Sequence, residues 1–174
     1  QLIEAAGQVE FTSGGHINSV RATDGRALQP GDKVRTRAAS RAAVQLSDRS
    51  VIRLSERTTL EILPPRRSEK KRFGLPGGSI FFFNREKPAD IEFDTPLAAG
   101  AIRGTEFLLE VAETNSALRL ALIAGQVALN TPHGEVALER AIPVYQPATL
   151  ATDADRMPLL ANAIDVLVVA AYGL

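Results

Sequence analysis

Cysteine and tryptophan are absent from the 174 residues, methionine occurs once, and tyrosine and histidine occur twice each. Without cysteine there is no disulfide framework, no thiol nucleophile and no cysteine zinc site. The two histidines are far apart. His16 follows Gly14-Gly15, and His133 lies between Pro132 and Gly134, so both read as turn residues rather than as catalytic or metal-ligating groups. Net charge is missing too: Lys plus Arg and Asp plus Glu both total 20, a formal balance of +0. This excludes a strongly basic nucleic-acid binder on global charge. The most apolar stretch, Ala163 to Leu174, is interrupted by Asp165. It reaches about half the ~20 residues that span a bilayer, so no transmembrane span is expected in this chain. The chain opens at Gln1 without a signal sequence, so its compartment is not read from its start.

The signatures of common catalytic sites are equally scarce. There is no G-x-S-x-G elbow, H-E-x-x-H pair, Walker lysine loop or dinucleotide glycine fingerprint. Outward carboxylates such as Glu92 with Asp94, or Glu106 with Glu110, read as a charged strand face rather than an acid/base pair. No enzyme activity, cofactor or metal is expected.

What is present is period-two alternation. Ala42, Val44 and Leu46 alternate with Arg41, Ala43 and Gln45; Ile91 and Phe93 with Asp90, Glu92 and Asp94; Phe107, Leu109 and Val111 with Glu106, Leu108 and Glu110. Successive side chains of a strand point to opposite faces, so each run buries one face and wets the other. Short runs of this kind between Gly, Pro, Asn and Asp predict an all-β domain over residues 1–145. Gly31, Gly78 and Gly125 recur 47 residues apart, each just ahead of a hydrophobic run. This spacing predicts short strands in stacked, coiled layers, a β-solenoid or roll, with a β-sandwich as the alternative. Residues 146–174 read as an extended linker and a carboxy-terminal helix through Leu159, Leu160, Ile164, Leu167, Val168 and Ala171, packing on the domain or starting a further module.

Charge is unevenly spread, about +6 up to Phe73 and −6 beyond it. The densest basic run holds Arg66, Arg67, Lys70, Lys71 and Arg72. It reads as a solvated hairpin tip or, more sharply, as a docking patch for an acidic partner or membrane headgroups. Phe81-Phe82-Phe83 breaks the alternation nearby, which suits a strand covered on both faces or one whose outer face meets a partner. A docking surface combining the run with an exposed Phe82 is the candidate, recognised by strand addition and steered by charge. Aromatics for base stacking are missing from the run, so nucleic acid is not an expected partner.

The segment from Asp94-Thr95-Pro96 to Arg103-Gly104-Thr105-Glu106-Phe107 is the most specific in the chain. Pro96 removes a backbone donor and ends a strand, and Gly104 permits a bulge or close approach before Phe107 enters the core. Together with Gly7-Gln8-Val9, Leu28-Gln29-Pro30-Gly31-Asp32, Ala43 to Ser50, Gly77-Gly78-Ser79-Ile80 and Ala124-Gly125-Gln126-Val127, in order, it resembles the FecR domain family over roughly residues 1 to 140. Arg49 departs from the Asp-Gly-Ser turn common there. The resemblance implies a non-catalytic, extracytoplasmic module of the bacterial envelope, periplasmic in the founding group. It implies signal transduction through a protein partner such as the signalling domain of an outer-membrane transporter. Carbohydrate or cell-wall binding, or a structural scaffold, is the alternative; Tyr145 and Tyr172 are its only Trp- or Tyr-type stacking groups. Thr95, Pro96, Arg103, Gly104, Thr105, Glu106 and Phe107 are expected to serve structure.

Overall fold

The computed structural model describes residues 1–66, 70–112, 117–132, 134–140 and 165–170, with the backbone alone at 105, 138–140 and 165–170. Among the described residues thirteen strands form one continuous hydrogen-bonded sheet, and there is no helix. Seven short strands come first: β1 (Leu2–Ala6), β2 (Val9–Thr12), β3 (Val20–Arg21), β4 (Lys33–Thr36), β5 (Arg41–Gln45), β6 (Val51–Leu54) and β7 (Thr59–Leu63). Longer ones follow: β8 (Lys71–Phe83), β9 (Ala89–Asp94), β10 (Ala99–Val111), β11 (Ala117–Thr131), β12 (Gly134–Arg140) and β13 (Asp165–Ala170).

The long strands are shared between neighbours. The first half of β8 pairs with β7 and β9, and its second half with β6 and β10. The first half of β10 pairs with β9 and its second half with β8. Strands β8, β9 and β10 therefore close a circuit, and the sheet rolls onto itself. Inside lie Phe73, Phe82, Phe93 and Phe107, all buried, with Leu60, Leu75, Ile80, Ile91 and Ile102 around them. Phe73 stacks near Phe93 with centroids 6.0 Å apart.

The three longest strands, β8, β10 and β11, change their inward face partway along. In β8, Phe73 and Leu75 point inward, then Ile80 and Phe82; in β10, Ile102, then Phe107 and Leu109; in β11, Leu118 and Leu120, then Val127 and Leu129. An odd-to-even switch needs an irregularity, because the side-chain period of a strand is two. Glycine supplies it. Gly78 has φ +98° and Gly125 φ +123°, conformations that residues with a Cβ rarely adopt. The β10–β11 register shifts between Gly104 and Glu106.

Two expectations are corrected here. The 47-residue glycine spacing does not mark coils of a solenoid: Gly78 and Gly125 are bends inside strands, and among the described residues every strand pairing except β8–β9 is antiparallel. Short hairpin connections dictate this, since parallel coils need crossovers. In the carboxy-terminal segment, Asp165–Ala170 form a strand antiparallel to Ala117–Leu122, where a helix was expected. The sequence there holds three valines in six residues, which favours extended backbone. The rest of that expected helix lies outside the described residues.

Candidate functional site

Among the described residues no group of three or more His, Cys, Asp or Glu side chains gathers as a metal site. His16 sits in a turn, its N–H donating to the Ser13 carbonyl at 3.0 Å; His133 lies outside the described residues. Asp94 is held by arginines, and Glu110 lies 3.7 Å from Arg119, so these outward carboxylates work as ion-pair partners.

The specific segment builds one hairpin and one close crossing. Thr95 ties the β9–β10 turn: its N–H and hydroxyl donate to the Ala98 carbonyl at 2.9 and 2.8 Å, and its hydroxyl oxygen accepts the Ala98 N–H at 3.0 Å. Pro96 stands exposed in that turn, where no donor is required. Arg103 is exposed and in register with Asp90 on β9 and Gln126 on β11. Gly104 faces Gly125, and a Cβ on Gly104 would stand 2.5 Å from the Ala124 carbonyl oxygen. Backbone meets backbone at this crossing. Glu106 is half-buried and Phe107 fully buried; of Thr105 only the backbone is described.

The candidate docking surface is corrected by burial. Phe82 is 0% exposed and points into the core against Phe107. The outward pair is Phe81 and Phe83, half-buried, 5.8 Å apart, with the Arg53 and Arg85 guanidinium groups 5.3 and 5.5 Å from the Phe83 ring. The sequence left the facing of the three phenylalanines open; the structure turns Phe82 inward and its two neighbours outward, against the exposed Phe82 that the docking surface required. The basic run is also largely neutralised within the chain. Arg66 (3.4 Å) and Arg72 both reach Asp94, Lys71 reaches Asp48 at 2.7 Å, and Lys70 stands 4.0 Å from Asp90. Arg67 lies outside the described residues. The run is a clamp between the start of β8 and the acids of β9 and the β5–β6 turn.

Under that clamp lies a groove of about 540 Å³. Val44, Phe73 and Ile91 form its floor, partly buried Leu28, Leu46 and Ile62 its walls, and Arg49, Lys70, Lys71 and Arg72 its rim. Gln1 closes one end, its backbone nitrogen donating to the Gln45 carbonyl at 2.8 Å. Partial burial pushes the Asp48 pKa up, but hydrogen bonds from Lys71 and Ser50 outweigh it, leaving the carboxyl below its ordinary value. Two of the acids that hold the rim, Asp90 and Asp94, were visible in the alternation of β9. Sequence reading assigned them to solvent because pairing across a parallel β8–β9 ladder is not a local property.

A family model described as FecR protein matches residues 32–128, more than half of the chain. No curated protein matches it. Among solved structures, two crystal structures of a candidate anti-sigma factor from Parabacteroides distasonis, at 1.65 and 2.50 Å resolution, are similar with TM-scores of 0.51 and 0.52. Each is 18% identical, covers 62% of this chain and is matched over 50% of its own length. At that identity the likeness is one of fold, and the chain spans half the length of the structures it matches.

Proposed function

The chain belongs to the FecR protein family, and from that membership we propose that it is a non-catalytic binding module of a bacterial envelope signalling regulator, working outside the cytoplasmic membrane. Its partner on this reading is an envelope protein, of the kind represented by the signalling domain of an outer-membrane transporter. The observation that carries the reading is the coincidence of the family match with the groove: of the lining residues only Gln1 and Leu28 fall outside residues 32–128. An apolar floor inside a charged rim is the anatomy of a protein-binding surface, with affinity at the centre and steering at the edge. The fold shared with the candidate anti-sigma factor supports a regulatory role.

The test is genetic and biochemical. Leu46→Glu with Leu63→Glu places charge on two partly buried groove positions, Leu46 at the margin of the core, and leaves every fully buried side chain in place. Introduced in the native bacterium, the pair is expected to change transcription of a confined set of promoters while the protein level holds. An unchanged transcriptome, together with a purified chain that sediments with cell-wall sacculi, would replace this reading by carbohydrate binding.

A further inference from the structure

Away from the basic run, arginines without an acidic partner among the described residues stand on β3 and β4. Alternation in β4 turns Val34 and Thr36 inward and Lys33 and Arg35 outward. Lys33 pairs with Glu61 at 3.4 Å. In the ladder Glu10 of β2 stands between Arg21 of β3 and Arg35 of β4, yet its carboxylate is taken by Arg37 at 2.9 Å. Arg21 and Arg35 therefore have no acidic partner among the described residues. One carboxylate stands among three arginines and pairs with one of them, Arg37.

Arg35, Arg37 and Arg57 wall a trough of about 490 Å³ whose bed is Thr59, Pro76, Gly77 and Gly78. The trough exists because the outward row runs Arg35, Thr59, Gly77 across β4, β7 and β8, and ends in a residue without a side chain. A Cβ on Gly77 would meet nothing within 4 Å. Its backbone frame is held by buried Thr36 and Thr58. The Thr36 N–H donates to the Thr58 carbonyl at 2.9 Å, the Thr58 N–H to the Thr36 hydroxyl at 3.0 Å, and the Arg57 N–H to the Arg37 carbonyl at 3.3 Å. The walls are thus fixed to one another before anything binds, which reduces the ordering cost of binding.

We propose that this trough receives carboxylate side chains from an extended acidic segment of a partner protein. The inference rests on the reading of the chain as a protein-binding module and names the chemistry of the partner. Guanidinium forks match carboxylates in pairs. The space is that of a peptide segment rather than of one small anion, and the lining offers no large apolar side chain to enter a lipid layer.

The test is an NMR titration of the whole chain with a hexaglutamate peptide, followed at arginine Nε–H and backbone N–H resonances. Arg35, Arg37, Arg57 and Gly77 are expected to shift together, with affinity falling as salt is added. Arg35→Gln with Arg57→Gln is expected to weaken binding about tenfold or more. Gly77→Glu, which fills the trough with the chain's own carboxylate, is expected to do the same at unchanged thermal stability. Shifts confined to Arg66, Lys70 and Arg72 would overturn the proposal. So would an equal response to inorganic phosphate, or binding to phosphatidylglycerol vesicles that the two-arginine variant abolishes. If hexaglutamate ignores the trough while the groove variants still alter transcription, this proposal falls and the family-based reading stands.

Discussion

Phe82 of β8 and Phe107 of β10 stack in register across the seam where the sheet closes, ring centroids 4.7 Å apart and planes 16° from parallel. Both are wholly buried, so this pair joins the two halves of the roll in the middle of the core. Phe107→Ala is expected to cost about 3–5 kcal/mol in urea unfolding. Glu110→Ala, three residues on and outward, is expected to cost less than about 0.5 kcal/mol, because its contact with Arg119 is solvent-exposed. Equal losses at the two positions would mean that the inward and outward faces of β10 are exchanged.

The crossing of Gly104 and Gly125 makes a sharper demand. A Cβ on Gly125 would stand 2.3 Å from the Arg103 carbonyl oxygen, at a φ of +123°. Both the contact and the dihedral oppose any side chain. Gly125→Ala is expected to destabilise by at least about 1–3 kcal/mol, the cost of overpacking before strain is added. Gly77→Ala, in open space, is expected to be neutral or to stabilise by about 0.4–1 kcal/mol. Thermal unfolding of the two variants side by side checks the contrast.

The all-β class was legible because alternation is local: Ile91 and Phe93, or Phe107 and Leu109, announce their face from two or three residues. The path of the chain was not. In β8 the inward set changes from Phe73 and Leu75 to Ile80 and Phe82, and the switch falls on Gly77-Gly78. Read locally, a Gly-Gly pair between two apolar runs looks like a turn, so one bent strand was divided and the spacing suggested coils. The parity change itself was in the sequence and marks the bend. The candidate site failed for a related reason. Three consecutive phenylalanines leave the facing undecided, and only the pairing of Phe82 with Ile52 and Phe107 turns it inward. Likewise the basic run carries no sign of the acids that neutralise it, since Asp94 lies 22 residues from Arg72. The arginine trough is assembled from three strands and was invisible for the same cause.

Buried Thr58 offers a test of the polar frame behind that trough. Its hydroxyl accepts the Ser79 N–H at 3.0 Å and lies 3.0 Å from the Glu56 carbonyl oxygen, to which it donates. Thr58→Val keeps the shape and removes the acceptor, leaving a part-buried donor without a partner. A loss of about 1–3 kcal/mol is expected, and the Ser79 amide should exchange with solvent faster relative to its neighbours in β8. Unaltered exchange at Ser79 would show that another group satisfies it.

The Asp48–Lys71 contact predicts a pH dependence with a definite sign. Lys71 Nζ lies 2.7 Å from the carboxylate, and the Ser50 N–H donates to it at 3.1 Å. Burial pushes the Asp48 pKa upward, and these bonds more than reverse it, so the folded value lies below the ordinary 3.8. A carboxyl with a depressed pKa in the folded state releases its proton more readily there than in the unfolded chain. Its contribution to stability is therefore full above the ordinary value and lost as pH falls through the folded value. The side chains are 31% and 19% exposed, and solvent screening holds the contribution under about 1 kcal/mol. Asp48→Asn is expected to be less stable than the parent chain near neutral pH, with the gap closing as pH falls below about 4. Lys71→Met should show the same narrowing, and the double variant should lose little beyond either single change, since the two groups act as a pair. Urea midpoints of the four proteins across the acid range measure this. A gap that stays constant from neutral to acid pH would show that Asp48 supports the turn through its shape and its bond to Ser50, and that its charge contributes nothing.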